Sequence, residues 1–206
     1  MPSSKPITVI DETSAVRCAE TLAQAFSDNP GYVWAFPPEE RREEKFRWYM
    51  QRVLALGMIN GLCLQIGDGD GVAIWYEPGR TAGFIDLMRA GLYKLPFRLG
   101  LGIYLKIQKI LNQNGHYMKK IMAGTPHYYL FHIGVTPAAQ GHGFGSALIR
   151  YITDKADRER KVCYLETDRP GNIPFYEKHG FVLVDSKELS PGVPLWYMRR
   201  PAAANR

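Results

Sequence analysis

Cysteine is scarce in this 206-residue chain, limited to Cys18, Cys63 and Cys163, each isolated from the others. No pair has redox or metal-ligand spacing, which argues against a disulfide framework, a thiol redox motif or a cysteine-held metal. Their apolar neighbours mark them as buried thiols, and no metal site is expected. Long apolar runs are also missing. A membrane span needs roughly 20 such residues, and the nearest stretch, residues 83–111, is interrupted by Asp86, Arg89, Lys94, Arg98, Lys106 and Lys109. That composition suits either an interfacial amphipathic helix pair or helices packed on a core; packing is the expectation. No charged-then-apolar leader opens the sequence, so a reducing, cytoplasmic setting is expected. Repeats and low-complexity segments are absent as well.

What is present is an ordinary globular balance. Hydrophobic residues make up 46% and charged residues 22% of the chain, enough for a sizeable core. Residues 1–5 and 201–206 read as frayed termini. The net charge of +6 comes from scattered positions with no nucleic-acid motif. A basic chain of this kind fits an anionic ligand; neither nucleic acid nor membrane is expected as a partner.

Periodicity gives the elements. Residues 7–10 form a β-branched run, and residues 15–26 repeat apolar positions at helical spacing. Asp28-Asn29-Pro30-Gly31 is a loop signal. A second helix is predicted from Pro37-Pro38-Glu39-Glu40 to about residue 58, with acids in its first turn. Residues 62–66 and 72–76 read as a hairpin about a glycine-rich turn. Residues 81–122 are helical, broken near Gly91 and Pro96. A strand over 127–135 precedes a helix over 143–158, whose apolar face carries Phe144, Ala147, Leu148, Tyr151 and Ile152. A strand at 162–166, a short helix at 173–179 stopped by Gly180, and strands at 181–184 and 193–198 complete the chain. The expectation is one α/β (α+β) domain over 1–206, with a helical insert at about 81–122 and a ligand-binding core at about 127–181.

The informative segment runs from 127 to 146. It is a strand, a proline-punctuated turn, a glycine-rich loop and a helix start. Gly141, Gly143 and Gly145 alternate, so backbone N–H groups can converge on phosphate at a helix N-terminus. A nucleotide-triphosphate loop would need a lysine where Ser146-Ala147 follow Gly145. A dinucleotide fingerprint would need different glycine spacing and more chain beyond it, although Glu166 falls near the distance of its acidic residue.

These residues carry a resemblance. Gln140-Gly141-His142-Gly143-Phe144-Gly145 is similar to the Gln/Arg-x-x-Gly-x-Gly/Ala signature of the GNAT superfamily of N-acetyltransferases. Ile133-Gly134-Val135-Thr136-Pro137, Leu165-Glu166-Thr167 and residues 172–181 resemble its neighbouring segments in the same order, over about 55 residues. The resemblance implies a mixed, mostly antiparallel sheet of about seven strands flanked by helices, splayed where acetyl-coenzyme A enters. It implies that Ile133 and Val135 pair with the pantetheine arm and that a backbone N–H near Val135 polarises the thioester carbonyl. The segment Gln140, Gly141, His142, Gly143, Phe144, Gly145 and Ser146 would hold the pyrophosphate. Asn172 and Phe175 would contact the coenzyme, and Tyr176 would protonate the departing thiolate.

Each candidate has a plainer reading. Tyr176 also suits packing between Phe175 and Phe181, and Asn172 suits a helix N-cap. An attacking ammonium must lose a proton, so a base is required. Glu166 is the first candidate, followed by His132 and His127; Asp28 and Glu77 are further options at the substrate end. Strand alternation puts 128, 130, 132 and 134 on one face and 127, 129, 131, 133 and 135 on the other. Within the insert, Tyr93, Phe97, Tyr104 and Tyr117 suggest walls for an acceptor pocket. The expected activity is direct acetyl transfer to a small-molecule amine, by a monomer or homodimer. The alternatives are a protein or peptide N-acetyltransferase, a non-catalytic acyl-coenzyme A sensor, and a nucleotide-dependent oxidoreductase.

Overall fold

The computed structural model describes residues 5–203, so most of the two ends expected to fray lie outside it. Strand β1 (Ile7–Val9) leads to helix α1 (Ala15–Phe26), whose Cys18, Ala19, Leu22 and Ala23 are buried at helical spacing. A short helix α2 (Pro30–Ala35) and a long helix α3 (Arg42–Asn60) precede the hairpin of β2 (Gly61–Ile66) and β3 (Gly71–Tyr76). The insert folds as α4 (Phe84–Arg89), a 3₁₀ turn at Leu92–Lys94, α5 (Leu95–Leu99) and α6 (Leu101–Met122). Then come β4 (His127–Val135), α7 (Phe144–Arg158), β5 (Val162–Thr167), α8 (Ile173–Glu177), β6 (Val182–Ser190) and β7 (Val193–Arg200).

The strands form one seven-stranded sheet in the order β1-β2-β3-β4-β5-β7-β6. Every neighbouring pair is antiparallel except β4 and β5. Alternate residues of β2 and β3 feed two cores: Cys63, Val72 and Ile74 join α1, α3, α5 and α6, whereas Leu64, Ile66, Ala73 and Trp75 join α7 and α8. Cys18, Cys63 and Cys163 are free and buried, as their neighbours suggested.

Strand β4 departs from the expected alternation. Trp75 of β3 pairs with Leu130 and Ile74 pairs with His132, which leaves Phe131 as an extra residue, a β-bulge. Tyr128 and Leu130 therefore face the α7 core, while Phe131 turns to the α1 core. Beyond the bulge the phase is reversed. Ile133 and Val135 now pack toward α7, and a Cβ on Gly134 would sit 2.8 Å from the Ala25 methyl of α1. A single inserted residue flips every side chain after it.

Other boundaries also moved. Asn-Pro-Gly opens α2 as well as a turn, because Pro30 sits in the first helical turn, where its missing N–H costs nothing. Helix α3 starts at Arg42 rather than at the Pro-Pro pair, since a residue before proline is pushed out of helical geometry. Its first-turn acids are Glu43 and Glu44. The insert breaks at Gly91 (φ 75°) as expected; Pro96 lies in the first turn of α5 and ends no helix, and a further break falls at Gly100 with φ 85°. Tyr151 is exposed, and Ile149, Thr153 and Ala156 share the buried face of α7 in its place. Strand β6 runs on through residues 185–190, polar except for the buried Leu189, because an edge strand needs no apolar face toward solvent.

Candidate active site

The parallel pairing of β4 and β5 extends from His127↔Val162 to Leu130↔Leu165 and stops there. The sheet splays beyond that point, as expected, and the backbone of residues 131–135 has no β5 neighbour. A cleft of about 560 Å³ occupies the gap. Ile133 and Val135 line one wall, brought to it by the bulge. Gln140, Gly141, Gly143, Phe144, Gly145 and Ser146 line the mouth, and Asn172, Phe175 and Tyr176 the opposite wall.

The loop geometry follows from its glycines. Gly141 and Gly143 both have φ 79°, and nothing lies within 4 Å of a Cβ built on either, so backbone conformation and not crowding requires them. The first N–H of α7 bonded back along the chain is that of Ala147, to the Gly143 carbonyl at 2.9 Å. The amides before it are the orphan donors of a helix start, beside the positive end of its dipole. The residues present therefore fit a phosphorylated ligand. The Gln140 side-chain amide donates to the Val135 carbonyl at 3.4 Å, and Ser146 Oγ lies 3.1 Å from His179 Nε2. His142 departs from the expectation: its Nδ1 lies 3.0 Å from the Gln140 carbonyl, and the side chain is outside the cleft lining.

Asn172 makes no capping bond; its amide donates to Thr167 Oγ1 at 3.3 Å. Tyr176 is buried, edge-on to Phe175 and Phe181. Burial, and then the charge of Asp168, raise its pKa above the ordinary phenol value, so the proton stays on. Ala25, Phe26, Asn29 and Arg169 also line the cleft and were not anticipated. Arg169, a lone cation just past a strand end, was the readable signal among them. It pairs with Asp28 at the rim.

A second hollow of about 90 Å³ adjoins the first, sharing Phe26 and Asn29. Its lining includes Tyr32, Tyr129, Phe131, His132, Glu166 and Asp168, with Ile110, Leu111 and Asn114 from α6. Burial pushes the Glu166 carboxyl up to about 7, against the opposing pull of the Tyr129 and Tyr164 phenols. Burial drives His132 down to about 3, and its Nε2 shares a 2.6 Å hydrogen bond with the Tyr32 hydroxyl. Asp168, raised chiefly by burial, accepts the Gly31 N–H at 2.6 Å and ties the first turn of α2 to the end of β5. Among the described residues, Glu166 Oε1, Asn114 Oδ1 and His132 Nδ1 are buried without a hydrogen-bond partner. Three orphaned polar atoms in one hollow are unusual, because buried polar groups are normally paired.

A model of the acetyltransferase (GNAT) family matches residues 20–181, which include the whole lining of the cleft and all of the second hollow's except Leu189 and Leu195. The chain belongs to the GNAT family of acetyltransferases. An uncharacterized N-acetyltransferase of Schizosaccharomyces pombe is 31% identical over 196 residues, covering 89% of this chain and 78% of the relative. Among solved structures, a histone acetyltransferase HPA2 and related acetyltransferase from Corynebacterium glutamicum superposes with a TM-score of 0.68 at 19% identity, covering 98% and 99% of the two chains. Arylalkylamine N-acetyltransferase 2 from Aedes aegypti gives 0.63 at 16% identity, covering 98% and 100%. At such identities the structural likeness bears on the fold alone.

Within this GNAT acetyltransferase, several expected residues fall outside both hollows. His127 sits at the far end of β4, its Nδ1 2.7 Å from the Thr125 carbonyl. Glu77 lies 3.7 Å from Lys155. Tyr93 and Phe97 are exposed, Tyr104 packs on the α1 core, and Tyr117 stacks on Tyr197. The insert does wall the second hollow, but with Ile110, Leu111 and Asn114.

Proposed function

We propose that the enzyme transfers the acetyl group of acetyl-coenzyme A directly to the primary amine of a small molecule. The observation that carries the acceptor assignment is the trio of unpartnered atoms, Glu166 Oε1, Asn114 Oδ1 and His132 Nδ1, in one buried hollow beside the cleft. A primary ammonium brings three N–H donors, and two of these atoms are oxygen acceptors. The aromatic rings of Phe26, Tyr32, Tyr129 and Phe131 suit the apolar body of such an amine. The small volume favours a compact molecule over a protein chain.

Acetyl-coenzyme A supplies an activated thioester. The free edge of β4 at Ile133 and Val135 pairs with the pantetheine arm, and the amides from Gly141 to Ser146 receive the pyrophosphate. A backbone N–H near Val135 polarises the thioester carbonyl. Glu166, held near neutrality, takes the proton that the ammonium must lose before it attacks. His132 is too weak a base for that role and positions the amine instead. Tyr176, kept in its phenol form, donates to the sulfur as it leaves. The test is a panel of arylalkylamines, polyamines, aminoglycosides, amino acids and peptides scored by coenzyme A release. Release with a compact amine supports the reading; release only with peptides replaces it with a protein acetyltransferase, and no release with any amine favours an acyl-coenzyme A sensor.

A further inference from the structure

The helical insert was expected to pack on the core, and only one side of it does. Leu95, Leu99, Ile103 and Ile107 are buried against α1 and α3. Helix α4 buries none of its six residues, although four of them, Phe84, Ile85, Leu87 and Met88, are apolar. Phe84 is 77% exposed and Phe97 87% exposed, and Tyr93, Leu101 and Leu105 also face solvent. Helix α5 packs on α6, and both α4 and α5 lie against α3, so these exposed side chains belong to one region. A soluble surface scatters such residues singly; a concentration of them marks an interaction site.

Charge decides what covers it. Residues 84–109, which hold α4, α5 and the first turns of α6, contain five Lys or Arg and a single acid, Asp86, so this short segment carries a net +4 of the chain's +6. The rest of the molecule is close to neutral. Arg89, Lys94, Arg98 and Lys109 are exposed and, among the described residues, form no ion pair. A second copy of the chain would set one strongly positive face against another. An anionic bilayer offers the complement to both features, taking aromatic and aliphatic side chains into its interface and cations at its headgroups.

We propose that the face formed by α4, α5 and the first turns of α6 docks on the surface of an anionic lipid bilayer. No helix of the described residues is long and apolar enough to cross one, so the contact is peripheral. This departs from the sequence-based expectation of no membrane contact, because exposure of the outer face is visible only once the inner face has been packed.

The experiment is co-sedimentation of the full chain with vesicles of phosphatidylcholine alone and with vesicles of phosphatidylcholine and phosphatidylserine in equal parts. The protein should pellet with the anionic vesicles, and binding should fall with added salt. Each Lys or Arg near such a surface strengthens binding about fivefold, so Arg89→Glu/Arg98→Glu should weaken it about twentyfold or more. Phe84→Ser/Phe97→Ser should weaken it by a comparable factor. Both variants change exposed side chains, and an unaltered melting transition will show that they fold. Absence from the anionic pellet, equal binding to neutral vesicles, or unchanged binding by the folded variants would overturn the proposal. So would a stable dimer of the wild type that the phenylalanine variant dissociates, which would assign the face to a second copy.

Discussion

Glu166 is under two opposing demands. Its carboxyl must ionise to take a proton, yet it lies buried among phenols, and burial raises its pKa from 4.5 to about 7. An acid whose pKa is raised by folding holds its proton more tightly in the folded state. Stability is therefore greatest below the unfolded value, falls as pH rises through the interval between the two values, and levels off above about 7. At 1.36 kcal/mol per pKa unit, the ionised carboxylate costs the fold on the order of 3 kcal/mol at pH 8. Glu166→Gln should raise stability at pH 8 by roughly 2–3 kcal/mol and flatten its decline between pH 5 and 8, measured by denaturant unfolding. The same substitution should lower turnover about 10²-fold and remove the inflection near pH 7 from the rate profile. Added stability with unchanged turnover would leave Glu166 a structural acid. Tyr176 makes the converse case. Its phenol is fully protonated at working pH, so Tyr176→Phe should cut kcat by about 10²-fold with no new pH dependence and a nearly unchanged dissociation constant for coenzyme A. Unaltered kcat would return Tyr176 to a packing role between Phe175 and Phe181.

At the scale of elements, the segments that matter are short and set by backbone geometry. Gly143 holds φ 79° at the start of α7, and an alanine there costs roughly 1–2 kcal/mol in left-handed strain. Gly143→Ala should lower coenzyme A affinity about tenfold by isothermal titration, while the KM of the amine changes little, because the acceptor hollow draws no residue from this loop. Gly115, inside α6 with open space around it, is the contrast: Gly115→Ala should stabilise by about 0.8–1 kcal/mol in denaturant unfolding without touching either ligand. The glycine loop could be read from the sequence because alternate glycines before an amphipathic helix have few other uses. The bulge at Phe131 could not. Nothing in His127-Tyr128-Tyr129-Leu130-Phe131 shows that the next residue will repeat a face, since both sides of β4 are covered and apolar side chains suit either. The register of β3 against β4 sets that reversal, through contacts about 60 residues apart. Asn114 escaped notice for the same reason. On one helix it is an ordinary polar residue, and only the packing of α6 over the splay buries its oxygen beside Glu166.

At the scale of the whole molecule, the cleft is where separately packed parts meet. Residues of α1, β4, α7 and α8 all line it, and the two sides of the sheet carry different cores. A ligand filling that gap contacts both cores at once and, if it binds only the folded state, stabilises the entire domain by mass action. At a concentration 100 times its dissociation constant the gain is about 2.7 kcal/mol. For a chain of this length each kcal/mol moves the melting temperature by about 2–4 °C, so acetyl-coenzyme A should raise it by roughly 5–10 °C. An adenine dinucleotide at equal concentration should give little shift, because a sheet whose one parallel pair is β4 and β5 forms no dinucleotide crevice. The variants separate binding from chemistry in the same assay. Glu166→Gln should keep the full shift, since the second hollow takes no part in holding the coenzyme. Gly143→Ala should lose about 1–1.5 kcal/mol of the stabilisation at fixed ligand concentration, matching its tenfold weaker affinity. An equal shift with the dinucleotide, or a full shift in Gly143→Ala, would remove the glycine loop from the coenzyme site and send the search for the pyrophosphate partner to Arg169 on the opposite rim.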